Sequence, residues 1–227
     1  MDVIILAGGM GTRLKEVVPD VPKSMAPIKG KPFLEYLFNW LSTYSSVQTF
    51  VLAVGYKSEI IVDYFVDSFN GIPVVYVNEQ EPLGTGGAIF NALKACSSDD
   101  VLIINGDTYF PIDIEAFETF HRNNKKPVSI ALKKMKDFDR YGTVETLQDS
   151  IVKFNEKTYC KEGLINGGIY IVSKNWLEQE KYPSKCSFEK DVLEKNVAKD
   201  LLAGKIFDDV FVDIGIPEDY TKATLIV

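Results

Sequence analysis

Three glycines of the stretch LAGGMGTRL, Gly8, Gly9 and Gly11, stand between a short apolar run and two cations, Arg13 and Lys23. Lacking a Cβ, glycine lets backbone N–H groups approach phosphate oxygens closely. Arginine can fork onto two such oxygens, while lysine presents a compact point charge. The combination is a candidate cradle for nucleotide phosphates, with Leu6, Ala7 and Thr12 beside it. The glycines alone equally suit a tight turn that needs positive φ, and either cation alone suits a solvated surface. Two other phosphate loops are excluded by spelling. GxGxxG would need glycine where Leu14 stands, and GxxxxGK[ST] occurs nowhere.

A second group of residues is acidic. Asp107 and Asp213 each follow an apolar run, VLIING and VFV. If both runs are strands of one sheet, the two carboxylates can meet at its carboxyl edge, where such sheets bind ligands. Two carboxylates completed by substrate phosphates form a suitable site for Mg2+. Taken singly, an aspartate after a strand is more often a turn or cap residue. Glu79 offers two acceptor oxygens, a match for the adjacent N1–H and N2–H donors of guanine, whereas thymine or uracil offers one such donor, and an ordinary surface glutamate is the alternative reading. The single histidine, His121, lies in the helical segment ETFHRNNKK and is expected at the surface, away from the chemistry.

The segments that must position these groups alternate in period. Strands are expected over 3–6, 49–54, 73–77, 101–106, 128–132, 165–172 and 210–215. Helices are expected over 33–44, 58–69, 86–95, 114–123 and 188–199, the first with a stripe of Phe33, Tyr36, Leu37, Trp40, Leu41 and Tyr44. GTVETLQDSIVKF interrupts the alternation as a hairpin. The expected fold is an α/β sandwich of three layers, α/β/α, around a mixed, mostly parallel sheet with an inserted antiparallel hairpin. Residues 1–227 read as a single domain, with neither repeat nor linker.

Composition narrows the function. Lys and Arg number 25 against 32 Asp and Glu, a net charge of −7. A nucleic-acid binder would need a basic face, so none is expected. Cys96, Cys160 and Cys186 are odd in number and lack CxxC spacing, which fits a reducing cytoplasm better than a disulfide or zinc framework. No run is long enough to span a membrane, and the apolar run Val3–Ala7 is too short for a signal peptide. Trp176 and Tyr182 are read as exposed aromatics, available to a homodimer interface or merely surface.

LAGGMGTRL followed by PKSMAPIKGKP resembles the signature of the sugar-1-phosphate nucleotidyltransferases, the nucleotide-diphosphate-sugar pyrophosphorylases. The likeness extends over nearly the whole chain, through EPLGTGGA, NGD, YGTVE, FNEK, INGGIY and FVDIGIPEDY in that order. Within the family it is greatest to members that transfer guanylyl. The resemblance implies a Rossmann-like fold and attack by a sugar-1-phosphate oxygen on the α-phosphorus of a nucleoside triphosphate. It implies Asp107 and Asp213 as Mg2+ ligands, and Arg13, Lys23 and Asp107 as the catalytic set. Gly84 and Thr85 match the base-binding loop, Asn105 the nucleotide side, and Lys157 the holder of the sugar phosphate. Gly142, Glu156, Asn166 and Gly168 match sugar-binding elements. One departure is Ser24, where the family usually has proline, beside the lysine it would aim. Within the same class, a uridylyl- or thymidylyltransferase for another sugar 1-phosphate is the alternative. From a different class, a non-catalytic nucleotide-sugar sensor remains, though a sensor would not need Arg13, Lys23, Asp107, Lys157 and Asp213 together. A dehydrogenase is disfavoured by the missing GxGxxG.

Overall fold

The computed structural model describes residues 1–9, 11, 13–14 and 17–226. Their apolar runs build a ten-stranded sheet. In chain order its strands are β1 (Asp2–Leu6), β2 (Thr49–Val54), β3 (Ser68–Phe69), β4 (Ile72–Asn78), β5 (Asp100–Asn105), β6 (Val128–Phe138), β7 (Thr143–Leu147), β8 (Ser150–Phe154), β9 (Cys160–Ser173) and β10 (Leu202–Phe207). Across the sheet the order is β7-β8-β10-β6-β9-β5-β1-β2-β4-β3. Strands β5, β1, β2 and β4 run parallel, and the apolar runs of β5, β1 and β2 are those of strands buried on both faces, whereas β4 buries only Val74 fully.

Successive side chains of β1 divide between two cores. Val3 and Ile5 join the layer that holds helices α1 (Phe33–Leu41) and α2 (Ser58–Phe65), whereas Ile4 faces α3 (Gly84–Leu93). Helix α4 (Ile114–Asn124) and the C-terminal helix Pro217–Ile226 cover the first face; α5 (Lys174–Gln179) and the helical stretch 188–199 cover the second. The expected three-layer sandwich is therefore present. At the centre of the first core the fully buried Phe38 ring meets Phe50 at 4.3 Å, Phe65 at 4.4 Å and Phe69 at 5.2 Å between centroids. Phe38→Ala is expected to lower unfolding stability by about 3–5 kcal/mol in urea titrations, because the rigid neighbours cannot fill the cavity.

Several elements differ from expectation. The antiparallel share of the sheet exceeds one inserted hairpin, because β9 runs antiparallel to both β5 and β6. The hairpin itself, β7 with β8, is as expected. The second helix stops at Phe65, not at 69. Asn70 and Gly71 both take positive φ, and this Asn-Gly turn folds β3 back onto β4. Strand β10 was not expected. The VFVDIG run supplies only Val212–Asp213, paired with Thr108–Tyr109 just beyond the end of β5 rather than in the main sheet.

Two side-chain expectations are also corrected. His121 is buried, not at the surface, because α4 turns that face onto β6; its Nδ1 lies 2.8 Å from Ser129 Oγ and its Nε2 3.5 Å from Asp100 Oδ1. Trp176 and Tyr182 are half-buried against the second core, and the Tyr182 ring stacks on Phe90 at 5.4 Å. Among the described residues, no helix is long and apolar enough to cross a membrane.

Candidate active site

The glycine loop leaves the carboxyl end of β1, and Asp107 follows β5 two residues past its neighbouring end. Lys23 reaches them from a 3₁₀ turn, Lys23–Met25. The loop admits it because Gly11 has φ +56° and no Cβ: one built there would stand 2.7 Å from Lys23 Cβ. Lys23 Nζ donates to Asp107 Oδ2 at 2.5 Å and lies 3.5 Å from Asp213 Oδ1. Asp213 arrives through the short pairing of Val212–Asp213 with Thr108–Tyr109, so a two-residue bridge does what a sheet strand was expected to do. Burial and the Asp107 carboxylate push the Asp213 carboxyl up, while Lys23 and the Gly215 N–H, which donates to it at 2.7 Å, act in the opposite direction. Burial first, then the nearby Asp213 carboxylate, raise the pKa of the Tyr141 hydroxyl.

Two cavities meet at this point. The first, about 320 Å³, is lined by Leu6, Gly8 and Gly9 from the loop, by Glu79, and by Gly84 and Thr85 at the start of α3. Glu79 is half-buried, its Oε2 accepting from Leu83 N at 3.1 Å, and burial raises its pKa. The second, about 410 Å³, is lined by Gly142, Glu156, Lys157, Asn166 and Gly168. Asn105 and Asp107 line both. Gly168 has φ +73°, and a Cβ there would stand 2.7 Å from Asn105 Nδ2, so only glycine lets the register shift within β9 close on the end of β5. The turn is held by Gly168 N, which donates to Asn166 Oδ1 at 3.0 Å.

Not every expected residue faces a cavity. Ala7 is buried and its N–H bonds Ala53 O at 2.9 Å. Arg13 is exposed on the turn after the loop and lines neither cavity. Lys23 acts from behind Asp107. Thr12 lies outside the described residues. Ser24 is buried, and its hydroxyl has no partner among the described residues. Tyr141, Ser187, Glu189 and Lys190 line the second cavity without having been singled out. The last three come from SFEK, whose spacing carries no phosphate or metal signature.

The pair Asp107 and Asp213 passes a test for a hard divalent ion: both carboxylates already reach a single cation, the Lys23 ammonium. Among the described residues no group of three or more His, Cys, Asp or Glu gathers, so further oxygens would have to come from a substrate, as is usual for Mg2+.

Comparison with known proteins gives the family. The family described as nucleotidyl transferase matches residues 2–227. The chain is 48% identical over 223 residues to the D-glycero-alpha-D-manno-heptose 1-phosphate guanylyltransferase of Aneurinibacillus thermoaerophilus, covering 98% of this chain and 96% of that one. It is also 48% identical to the protein of the same description from Campylobacter jejuni, covering 97% of each. The crystal structure of HddC from Yersinia pseudotuberculosis superposes with a TM-score of 0.86 at 39% identity, covering 99% of this chain and 98% of that one. The same protein complexed with GMP-PN gives 0.85.

Proposed function

The chain belongs to the nucleotidyl transferase family, and on that footing we propose that it transfers a guanylyl group from GTP to D-glycero-α-D-manno-heptose 1-phosphate. The products are GDP-heptose and pyrophosphate, the former for bacterial surface polysaccharide such as capsule or lipopolysaccharide. The observation that carries this reading is the junction of two cavities at Asp107, one bordered by the glycine loop and the other by Lys157.

In the reaction, an oxygen of the sugar phosphate attacks the α-phosphorus of GTP. A new P–O bond forms as the α–β bridging bond breaks, and pyrophosphate leaves with the bonding electrons. A phosphate monoester loses its second proton near pH ~6, so the nucleophile needs no general base. This leaves the buried His121 free for its structural bonds. The obstacle is the approach of two anions, which fixed cations offset.

Glu79 faces the base, and its two oxygens suit the paired donors of guanine. The Gly8–Gly9 backbone approaches the triphosphate, Lys23 serves it near the reacting centre, and Arg13 on its exposed turn attends the leaving pyrophosphate. Lys157 holds the phosphate of the sugar, and Glu156, Asn166 and the Gly142 and Gly168 backbones surround the ring. Asp107 and Asp213 would hold Mg2+, which supplies charge neutralisation at the phosphates. The free cysteines and the nucleotide substrates support a cytoplasmic setting for this reaction, with residues 1–227 read as one domain.

Incubation with each of the four common triphosphates and a panel of sugar 1-phosphates, following pyrophosphate, tests this. Release with GTP and the heptose 1-phosphate, and little otherwise, is the expected result. Preference for UTP or dTTP would overturn the base assignment, and silence with every pair would leave a sensor.

A further inference from the structure

We infer that Glu189 is a positioning residue that locks the nucleotide and sugar subsites to each other, so that a change on either side alters binding on the other. The inference rests on the proposed reaction. Glu189 lies in the π-helical turn Phe188–Leu193, a wide turn of a kind concentrated at functional sites. Its Oε2 accepts from Thr85 Oγ1 at 3.0 Å and from Ser187 Oγ at 3.1 Å. Thr85 belongs to the first turn of α3 and lines the nucleotide cavity. Its hydroxyl in turn accepts from Phe188 N at 2.8 Å, so the helix start and the turn grip each other from both directions.

The same carboxylate is reached from the sugar side. The hydroxyl of the fully buried Tyr170 accepts from Asn166 Nδ2 at 2.9 Å, and burial first, then the neighbouring Glu189 carboxylate, raise its pKa. Asn166 also holds the Gly168 turn through its other amide atom. Glu189 thus lines the sugar cavity beside Tyr170 and Asn166 and, through its bond to Thr85, reaches the wall of the nucleotide cavity. A half-buried carboxylate that accepts from Thr85 of α3 and from Ser187 beside its own turn ties the two together, because moving either leaves a hydroxyl without its partner. In-line transfer needs that separation held closely, since misplacement of about 1 Å can cost ~10²-fold in rate.

The test uses cross-effects in steady-state kinetics on the full chain. Tyr170→Phe removes a hydroxyl that lines only the sugar cavity, and Thr85→Val one that lines only the nucleotide cavity. Tyr170→Phe is expected to raise the KM for GTP, and Thr85→Val the KM for the heptose 1-phosphate, each by about 3- to 10-fold, with kcat lowered by about 10-fold. Thr85→Ser, which keeps the hydroxyl, should restore near-normal values. The double variant should be little worse than either single one, as for members of one network. If each variant changes only the KM of its own subsite, or the double variant is additive, the linkage is refuted, whichever variant remains folded. If the wild-type protein releases no pyrophosphate from this substrate pair, the failure lies with the proposed reaction. In that case the linkage is tested by equilibrium binding of GTP alone to Tyr170→Phe, where unchanged affinity overturns it.

Discussion

Asp107→Asn releases pyrophosphate slower than the wild-type protein by a factor on the order of 10³, with its melting temperature nearly unchanged. The substitution keeps the shape of the side chain and one oxygen acceptor. It removes the negative charge that both cavities share and that Lys23 Nζ meets at 2.5 Å. Stability should hardly move because the Asp107 side chain is 37% exposed, so its ion pair is screened by solvent. Lys23 also keeps a second partner, Asp213, at 3.5 Å. Rate assays over a magnesium titration, paired with thermal melts, check both halves. Turnover within about 10-fold of wild type would remove Asp107 from the chemistry.

Lys157→Ala should raise the KM for the sugar 1-phosphate by about 10- to 100-fold and leave that for GTP within about twofold. Lys157 lines the second cavity and not the first, and its exposed side chain lets an ammonium meet an entering dianion. Such a charge-assisted bond contributes roughly 1.5–3 kcal/mol, which sets the range. Initial rates with each substrate varied in turn give the split. A larger effect on GTP would assign this lysine to the triphosphate.

The parallel half of the fold was legible because its period is unambiguous: Val3–Leu6 and Val101–Ile104 are continuous apolar runs that only a doubly covered sheet accommodates. The hairpin was legible from its polar turn. Strand β10 was not, because LAGKIF carries a glycine and a lysine, and it earns its place by pairing with Val128–Lys133 of β6 rather than by local propensity. The premature end of α2 was spelled in Asn70-Gly71, a strong local signal outweighed by the apolar pattern around it.

At the site, residues carried by motif spacing proved spatial neighbours: the glycine loop, Glu79, Gly84 and Asp107 in one cavity, and Lys157 and Asn166 in the other. Contacts created only by tertiary folding left no such trace. Glu189 meets Thr85 across 104 positions, and Tyr141 meets Asp213 only because the hairpin lies beside the C-terminal bridge. Burial of His121 was hidden for the same reason, since its partner Ser129 belongs to a strand and its own helix face looks polar.

The ammonium held between Asp107 and Asp213 has a bearing on how the molecule comes to exist at all. Two acids brought together without compensation would repel, and folding would then depend on a captured ion. Here the polypeptide carries its own counter-charge on the turn at Lys23–Met25. It can therefore assemble the acidic pair during synthesis and wait, fully formed, in a cell where reactants and free divalent ions come and go.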